Sequence, residues 1–239
     1  MNKIKSGIKG LDKILRGGIP EGRTILVSGK SGAGKTILGS QFIFEGLKNN
    51  ENCVFVTLEE LKDHLVSDLL EIGIDFKKYE KSGKLKIIGG PIGKITYFKE
   101  ETKATALDLI DEIVEVATSA KAKRIVLDST NLFLGLFNED DDMRRALAGL
   151  SFRLNTIGCT SIFTCEIKES SKDISWYGFE EFVVDGVISL YRVQCKSAFE
   201  RGISIIKMRG CDHDKKICHF DISKKGAEAY PEQKLIYGF

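Results

Sequence analysis

The sequence predicts an α/β fold: a mainly parallel central sheet flanked by helices, with a C-terminal β-hairpin. Short apolar runs alternate with segments of helical periodicity, and several of these runs are apolar almost throughout. The last part of the chain instead shows a strand–turn–strand pattern. Strands that are apolar on both faces are typical of a parallel sheet covered by helices, and strand–helix alternation requires crossover connections.

The strand segments follow from the apolar runs. In chain order they are Thr24–Ser28, Cys53–Leu58, Leu85–Ile88, Arg124–Asp128, Thr160–Glu166, Gly186–Val193 and Gly202–Met208. RIVLD and SIFTC show no polar alternation, as expected for strands buried on both faces. Gly202–Met208, a GCDHDKK turn and Ile217–Ile222 are predicted to form the antiparallel hairpin.

The helices lie between these strands. Ala104–Ala120 places five apolar residues on one face at helical spacing, namely Ala106, Leu109, Ile110, Ile113 and Ala117. The segments Thr36–Lys48, Leu61–Ile72 and Met143–Ile157 show the same periodicity. No repeat or Pro- or Ser-rich linker interrupts the pattern, so we predict a single domain over residues 1–239.

The charge balance and the hydrophobic content of the chain exclude several classes of protein. The chain has 36 Lys and Arg against 34 Asp and Glu, which gives a formal charge of +2, and 42% of its residues are hydrophobic. This balance excludes a disordered tail and a globally basic nucleic-acid coat, although a local basic groove stays possible. The basic N-terminal residues lack the apolar run of a signal peptide, and no stretch reaches the length needed to span a bilayer. We therefore expect a cytoplasmic protein that does not enter membranes.

Six scattered cysteines in a chain of this size do not indicate a disulfide scaffold. One cluster, Cys211, His213, Cys218 and His219, contains atoms that zinc accepts. It has no CxxC pair, however, and adjacent residues of a strand point to opposite faces. A plain hairpin is therefore favoured over a metal site.

The motif that indicates function most directly is a phosphate-binding loop of the form G-x-x-x-x-G-K-[ST]. It comprises Gly29, Lys30, Ser31, Gly32, Ala33, Gly34, Lys35 and Thr36. An apolar strand precedes it and a helix follows it, which is the context that this motif requires. Glycines let backbone N–H groups approach phosphate oxygens, and the helix N-terminus adds positive potential.

The side chains of this loop predict a nucleoside triphosphate site. Lys35 is a point charge for the β- and γ-phosphates, and the Thr36 hydroxyl is a ligand for Mg²⁺. Ile37, the next residue of the helix, is also a candidate for contact with the nucleotide. No guanine-reading N/T-K-x-D motif is present, so ATP is favoured over GTP.

Hydrolysis needs further acids, and three follow strands. Asp128 ends the strand RIVLD, where a Walker B acid reaches Mg²⁺ through water, although an Asp that caps the next segment is the alternative. Glu59 and Glu60 follow CVFVTL at an edge where ligands bind in such sheets. A solvated start of the next helix explains these two glutamates equally well.

Several motifs resemble the KaiC branch of the RecA/RadA family of P-loop ATPases. They are SGIKGLDKILRGGIPEGRTILVSGKSGAGKT, VTLEE, RIVLDS, WYGFEEFVVDGVISL and IIKMRG, which together extend from about Ser6 to Asp221. The resemblance implies a RecA-like P-loop fold that binds and hydrolyses ATP with Mg²⁺. It also implies that Glu59 polarises the attacking water with Glu60 in support.

The resemblance further implies a homo-oligomer, a hexameric ring with ATP between its subunits. Lys207 and Arg209 of KMRG then supply charge to the neighbour's nucleotide, and Arg201 is a plausible arginine finger. His213 matches a histidine that contacts nucleotide. For Arg201, Lys207 and Arg209 the alternative is a solvated strand edge.

Departures from the family limit the functional prediction. The chain has no second ATPase copy with the phosphorylatable Ser and Thr of clock proteins, so clock function is not implied. It also lacks the F-x-x-A tether that is usual in the recombinase branch. The segments that match the DNA-binding loops of recombinases are Phe137–Met143, with four consecutive acids, and about Lys168–Trp176. DNA binding is thus possible but disfavoured, because acids oppose contact with phosphate, although Trp176 and Tyr177 could stack on bases.

Three hypotheses therefore follow from the sequence. The first is a Mg-dependent ATPase whose nucleotide lies at subunit interfaces. The second is an ATP-gated scaffold or signalling module with negligible hydrolysis. The third is a RadA-related accessory of DNA recombination or repair.

Overall fold

The computed structural model describes residues 1–90, 102–169, 173–195 and 197–235. The strands in these ranges are β1 (Lys3–Ile4), β2 (Ile19–Pro20), β3 (Thr24–Gly29), β4 (Cys53–Thr57), β5 (Leu85–Gly89), β6 (Arg124–Asp128), β7 (Thr160–Glu166), β8 (Gly186–Cys195), β9 (Ala198–Met208), β10 (Cys218–Ser223) and β11 (Gly226–Lys234). The helices are α1 (Leu11–Ile14), α2 (Lys35–Lys48), α3 (Lys62–Glu71), α4 (Phe76–Lys81), α5 (Thr102–Ser119), α6 (Thr130–Leu134), α7 (Asp140–Thr156) and α8 (Glu180–Val183). Within the described ranges, no helix combines the length and apolarity that crossing a membrane requires.

The central sheet contains nine strands in the order β11-β10-β9-β8-β3-β7-β6-β4-β5. The six strands from β8 to β5 run parallel to one another, and β9, β10 and β11 are antiparallel. The α/β prediction is therefore confirmed. All parallel strands consequently end at one edge of the sheet, where β3 leads into α2.

Two apolar layers cover the sheet, and alternation along the strands assigns residues to them. Ile25 and Val27 of β3 belong to the cluster that contains α2, α3 and α4, whereas Leu26 belongs to the cluster that contains α5 and α7. Gly39 of α2 faces Val126 of β6 so closely that an added Cβ would lie 3.1 Å from a Val126 methyl carbon. The helix that follows the phosphate loop is thus pressed against the sheet centre.

The predicted hairpin is confirmed, but it forms part of a larger antiparallel region. Residues 201–203 of β9 pair with β10, and β9 pairs along its length with β8. The sequence analysis missed β11, whose polar sequence GAEAYPEQK includes Pro231. Proline lacks the N–H that a central strand needs, and β11 lies at the sheet edge, where proline is tolerated.

A buried arginine ties the N-terminal residues to this core. Arg124, at the start of β6, has only 1% of its side chain exposed, and its Nε lies 2.5 Å from Glu51 Oε2. The same guanidinium donates to the Lys5 carbonyl at 2.7 Å and lies 4.8 Å from the ring centroid of Phe42. A buried charge is tolerated because it is paired and hydrogen-bonded.

Candidate active site

The phosphate loop joins the central strand β3 to α2. Gly32 and Gly34 have φ values of 70° and 104°, which residues with side chains rarely adopt. A Cβ on Gly34 would also collide with the side chain of Ile222. The glycines therefore let the chain turn directly from the strand into the N-terminus of α2, a helix end that favours anions.

This loop forms one wall of a pocket of about 380 Å³. Six of the predicted nucleotide-contacting residues line it, namely Ser31, Gly32, Gly34, Lys35, Thr36 and Ile37. Three others lie behind this wall: the carbonyls of Gly29 and Lys30 accept from Lys35, and Ala33 is fully buried. The Lys30 side chain contacts Glu169 of the segment after β7, so it is directed away from the pocket.

Lys35 lies across the base of the loop with only 8% of the residue exposed. Its Nζ donates to the Gly29 carbonyl at 2.9 Å and to the Lys30 carbonyl at 3.1 Å. These two bonds fix the ammonium group at the pocket wall. A triphosphate in this pocket would meet a localised positive charge there.

Asp128, the last residue of β6, lies in contact with Thr36, in the first turn of α2. Thr36 Oγ1 donates to Asp128 Oδ2 at 2.8 Å, and Thr164 Oγ1 of β7 donates to the other carboxylate oxygen. Burial raises the pKa of Asp128 to about 6, and the nearby Glu59 also raises it, whereas the hydrogen bond from Thr164 lowers it. A cation bound beside this carboxylate would favour its ionised form and so oppose the effect of burial on its pKa.

Glu59 is exposed at the mouth of the pocket, at the end of β4, and Glu166 at the end of β7 lines the same space. A second cavity of about 560 Å³ shares both carboxylates and is lined on its other side by Trp176 and Tyr177. Glu60 is half-buried, and its pKa is raised by burial and by the carboxylates of Asp128 and Glu59. Two separate cavities thus meet at Glu59 and Glu166.

The donor set fits a hard divalent cation. Hydroxyl and carboxylate oxygens are the protein ligands that Mg²⁺ uses, usually one or two of them together with phosphates and water. Thr36 and Asp128 supply these oxygens in hydrogen-bond contact. In the described part of the chain, no three His, Cys, Asp or Glu side chains group to hold a metal by themselves.

The raised pKa of Asp128 predicts a pH-dependent effect of Asp128→Asn in protein without nucleotide or Mg²⁺. The folded-state pKa is about 6 against the usual 3.8, so between these values the folded protein binds more protons than the unfolded chain. The stability contributed by Asp128 therefore falls as pH rises through this window. We expect Asp128→Asn to be more stable than the wild type by about 2–3 kcal/mol at pH 8 and equal to it near pH 4.

Thermal unfolding at both pH values measures this difference. Asp111→Asn is the matched control, because its side chain is 70% exposed. A stability gain for Asp128→Asn that persisted unchanged at pH 4 would contradict the assignment.

The predicted basic residues lie at opposite ends of strand β9, with Arg201 near one end and Lys207 and Arg209 at the other. Arg201 Nε donates to the Gly32 carbonyl at 3.2 Å, so Arg201 lies at the phosphate loop of its own chain. Lys207 Nζ donates to the Glu181 carbonyl at 2.6 Å, and Arg209 Nη2 donates to the Phe182 carbonyl at 3.3 Å, just before the start of β8. Burial and the neighbouring Arg209 lower the pKa of Lys207. Within one chain, the structure therefore brings Arg201 to the phosphate-loop pocket, whereas Lys207 and Arg209 lie away from it, near Glu181 and Phe182.

His213 does not join the phosphate-loop pocket of its own chain. Its Nδ1 lies 3.0 Å from the Asp214 carbonyl, in the turn between β9 and β10. Cys218 is buried, whereas His219 packs on Tyr230 with ring centroids 5.6 Å apart. These contacts are those of an ordinary hairpin.

Sequence analysis missed three side chains at this site. Thr164 holds Asp128, Glu166 lines both cavities, and Arg192 lies beside Gly32. Glu166 carried a usable signal, because it ends a parallel strand in the same way as Asp128. Thr164 and Arg192 carried none, since only the pairing of distant strands brings them to the site.

Comparisons with known proteins show the family of this chain. The family described as "ATPase: KaiC" matches residues 4–234. UPF0273 protein PH0284 of Pyrococcus horikoshii is 36% identical over 243 residues, which cover 99% of this chain and 97% of that protein. Circadian clock protein KaiC3 of Synechocystis sp. is 36% identical over 234 residues, which cover 97% of this chain but 46% of that protein.

A solved structure shows the same architecture. The crystal structure of KaiC-like protein PH0186 from Pyrococcus horikoshii matches with a TM-score of 0.84 and 35% identity, and the match covers 96% of this chain and 99% of the other. The RecA-like α/β fold is therefore common to both proteins. This chain belongs to the KaiC family of P-loop ATPases, in its KaiC-like branch.

Proposed function

We propose that this protein binds Mg-ATP at the phosphate loop and hydrolyses it to ADP and phosphate. The observation that carries the proposal is the contact between Thr36 and Asp128 beside the buried ammonium of Lys35. A Gly-rich turn alone would explain neither the buried carboxylate nor the threonine that pairs with it. The membership in an ATPase family supports the same reaction.

The residues of the pocket divide the chemistry among them. The backbone of the loop and Lys35 hold the β- and γ-phosphates, while Thr36 and, through water, Asp128 hold the cation. When bound, Mg²⁺ neutralises charge on the β- and γ-phosphate oxygens. Glu59 orients the attacking water and accepts its proton, and Glu60 supports it by raising the local negative potential.

We also propose that the subunits form a head-to-tail ring, a hexamer by resemblance to the family. Lys207 and Arg209 lie at the sheet edge opposite the phosphate loop, so they cannot serve the site of their own chain. A heterologous contact that repeats around a ring would bring this edge to the next subunit's pocket. His213, which also lies away from its own pocket, is proposed to contact nucleotide by the same route.

DNA is not part of the proposed function. Three acidic residues are exposed at the start of α7, namely Glu139, Asp140 and Asp141. Their negative charges interact favourably with the helix dipole and would repel the phosphates of DNA. In the second segment, Lys168–Trp176, residues 170–172 lie outside the described residues. The ammonium of Lys168 lies 5.3 Å from the ring centroid of Trp176.

We propose the cytoplasm as the compartment of this protein. All six cysteines are free thiols, which supports this proposal.

Phosphate release from ATP by the purified protein tests the function directly. We expect release that requires Mg²⁺, stops with EDTA and is faster with ATP than with GTP. If ATP instead remained bound and intact through a long incubation, the protein would be an ATP-gated binding module rather than an ATPase. Absence of both binding and release would reject the nucleotide site altogether.

A further inference from the structure

Two arginines face each other across the β8–β9 ladder, directly beside the phosphate loop. Arg192 and Arg201 are register partners in this antiparallel pair, so their side chains lie on the same face of the sheet. Both reach Gly32: Arg201 Nε donates to its carbonyl at 3.2 Å. A Cβ on Gly32 would lie 3.8 Å from Arg192 Cδ and Nε.

This pair is unusual because like charges opposite each other repel. Among the described residues, neither guanidinium has an ion pair with a carboxylate. Arg192 instead lies 4.0 Å from the ring centroid of Phe199, which holds the plane of the guanidinium in place. Two positioned guanidinium groups thus converge on one residue of the phosphate loop, and neither has a carboxylate partner in the part of the chain that the structure describes.

We infer that Arg192 and Arg201 form a cis anion clamp, which holds the triphosphate bound to the same chain. The inference rests on the proposed nucleotide site and adds to it the source of the cationic charge. Guanidinium groups bind phosphate oxygens through two parallel hydrogen bonds, which gives them orientation as well as attraction. Arg201 lines the pocket itself, and Arg192 contributes from beyond Gly32.

A clamp of this kind has a consequence for selectivity. It favours the more highly charged ligand, so ATP and inorganic tripolyphosphate gain more from it than ADP does. It also divides the cationic residues into two groups. Arg192 and Arg201 act within each chain, whereas the opposite-edge residues Lys207 and Arg209 act between chains.

Calorimetric titration with inorganic tripolyphosphate, ATP and ADP tests the clamp without requiring turnover. We expect Arg201→Ala and Arg192→Ala each to weaken tripolyphosphate and ATP about tenfold or more, with a smaller loss for ADP. Arg201→Lys should retain part of the affinity because it keeps the charge. Arg153→Ala is the control, since it removes the same charge from an exposed arginine that pairs with Asp111 on the far helices.

Unchanged affinity of both alanine variants, with wild-type melting temperatures, would overturn the clamp. An equal loss for ADP and ATP would also overturn it, because it would show a general distortion of the loop. If the wild type bound ATP tightly but did not hydrolyse it, the clamp could stand while the ATPase proposal failed. The two ideas therefore fail separately.

Mixing experiments separate cis from trans action. At an ATP concentration well below the Kd of Arg201→Ala, Glu59→Gln chains mixed with Arg201→Ala chains should stay inactive, because no chain then contains both groups. Recovered phosphate release in this mixture would mean that Arg201 acts on a neighbour, which contradicts the clamp. Glu59→Gln mixed with Arg209→Ala is the matched comparison, in which we expect recovery because Arg209 is proposed to act between chains.

Discussion

Glu59→Gln is expected to keep ATP bound while phosphate release falls by about 10²–10⁴-fold. The substitution preserves the size of the side chain and removes its ability to accept a proton. Glu59 is exposed at the pocket mouth and makes no described contact that fixes the loop, so binding of the phosphates should survive. Single-turnover phosphate release and calorimetric affinity for ATP measure the two effects separately.

Glu166→Gln is the matched control, because Glu166 lines the same two cavities and undergoes the same chemical change. We expect it to reduce turnover much less than Glu59→Gln. If the order were reversed, Glu166 rather than Glu59 would be the base. Normal turnover in both variants would show that neither Glu59 nor Glu166 is the catalytic base.

The proposed division of work among the acids depends on their environments. Asp128 is buried and hydrogen-bonded by two threonines, which suits a group that holds a cation in a fixed position. Glu59 reaches water at the junction of two cavities, which suits a group that must meet and deprotonate it. Glu60 is half-buried and has a raised pKa. We therefore assign it an electrostatic effect on Glu59.

The phosphate loop was fully predictable from sequence because its residues are contiguous and its glycines are required by backbone geometry. The buried strands were predictable for a similar reason: Arg124–Asp128 and Thr160–Glu166 are apolar on both faces, and both appear with these bounds. The partner of Asp128 was not predictable. Thr164 lies in an apolar run, and only the parallel pairing of β6 with β7 brings the two together.

The position of Arg201 shows a second limit of sequence reasoning. The resemblance indicates that Arg201 belongs to the nucleotide site, but it does not say whether Arg201 acts on its own chain or on a neighbour. Arg201 and Lys207 are six residues apart on one strand of eleven residues, so they lie at opposite edges of the sheet. Direction along an antiparallel strand, which motifs do not encode, therefore places Arg201 beside the phosphate loop of its own chain and Lys207 away from it.

Lys35→Ala is expected to abolish both nucleotide binding and hydrolysis. Its ammonium is almost fully buried and donates to two carbonyls of the loop, so the variant loses a localised charge and leaves these carbonyls without their donor. In the proposed complex Lys35 pairs with the phosphates, and removing one partner of such a buried charge pair costs about 2–5 kcal/mol, which weakens ATP binding roughly 30-fold or more. Calorimetric titration with ATP and with ADP measures the loss.

Lys48→Ala is the matched control at the other end of α2, where the ammonium pairs with Glu45 and lies 5.5 Å from the ring centroid of Phe44. Lys35→Arg distinguishes charge from shape, because a guanidinium keeps the charge but is too wide and planar for a space closed by two carbonyls. We expect Lys35→Arg to bind ATP poorly as well. Full binding by Lys35→Ala would show that the backbone and the Arg192–Arg201 clamp suffice to hold the triphosphate, and the role of Lys35 would then be confined to the structure of the loop.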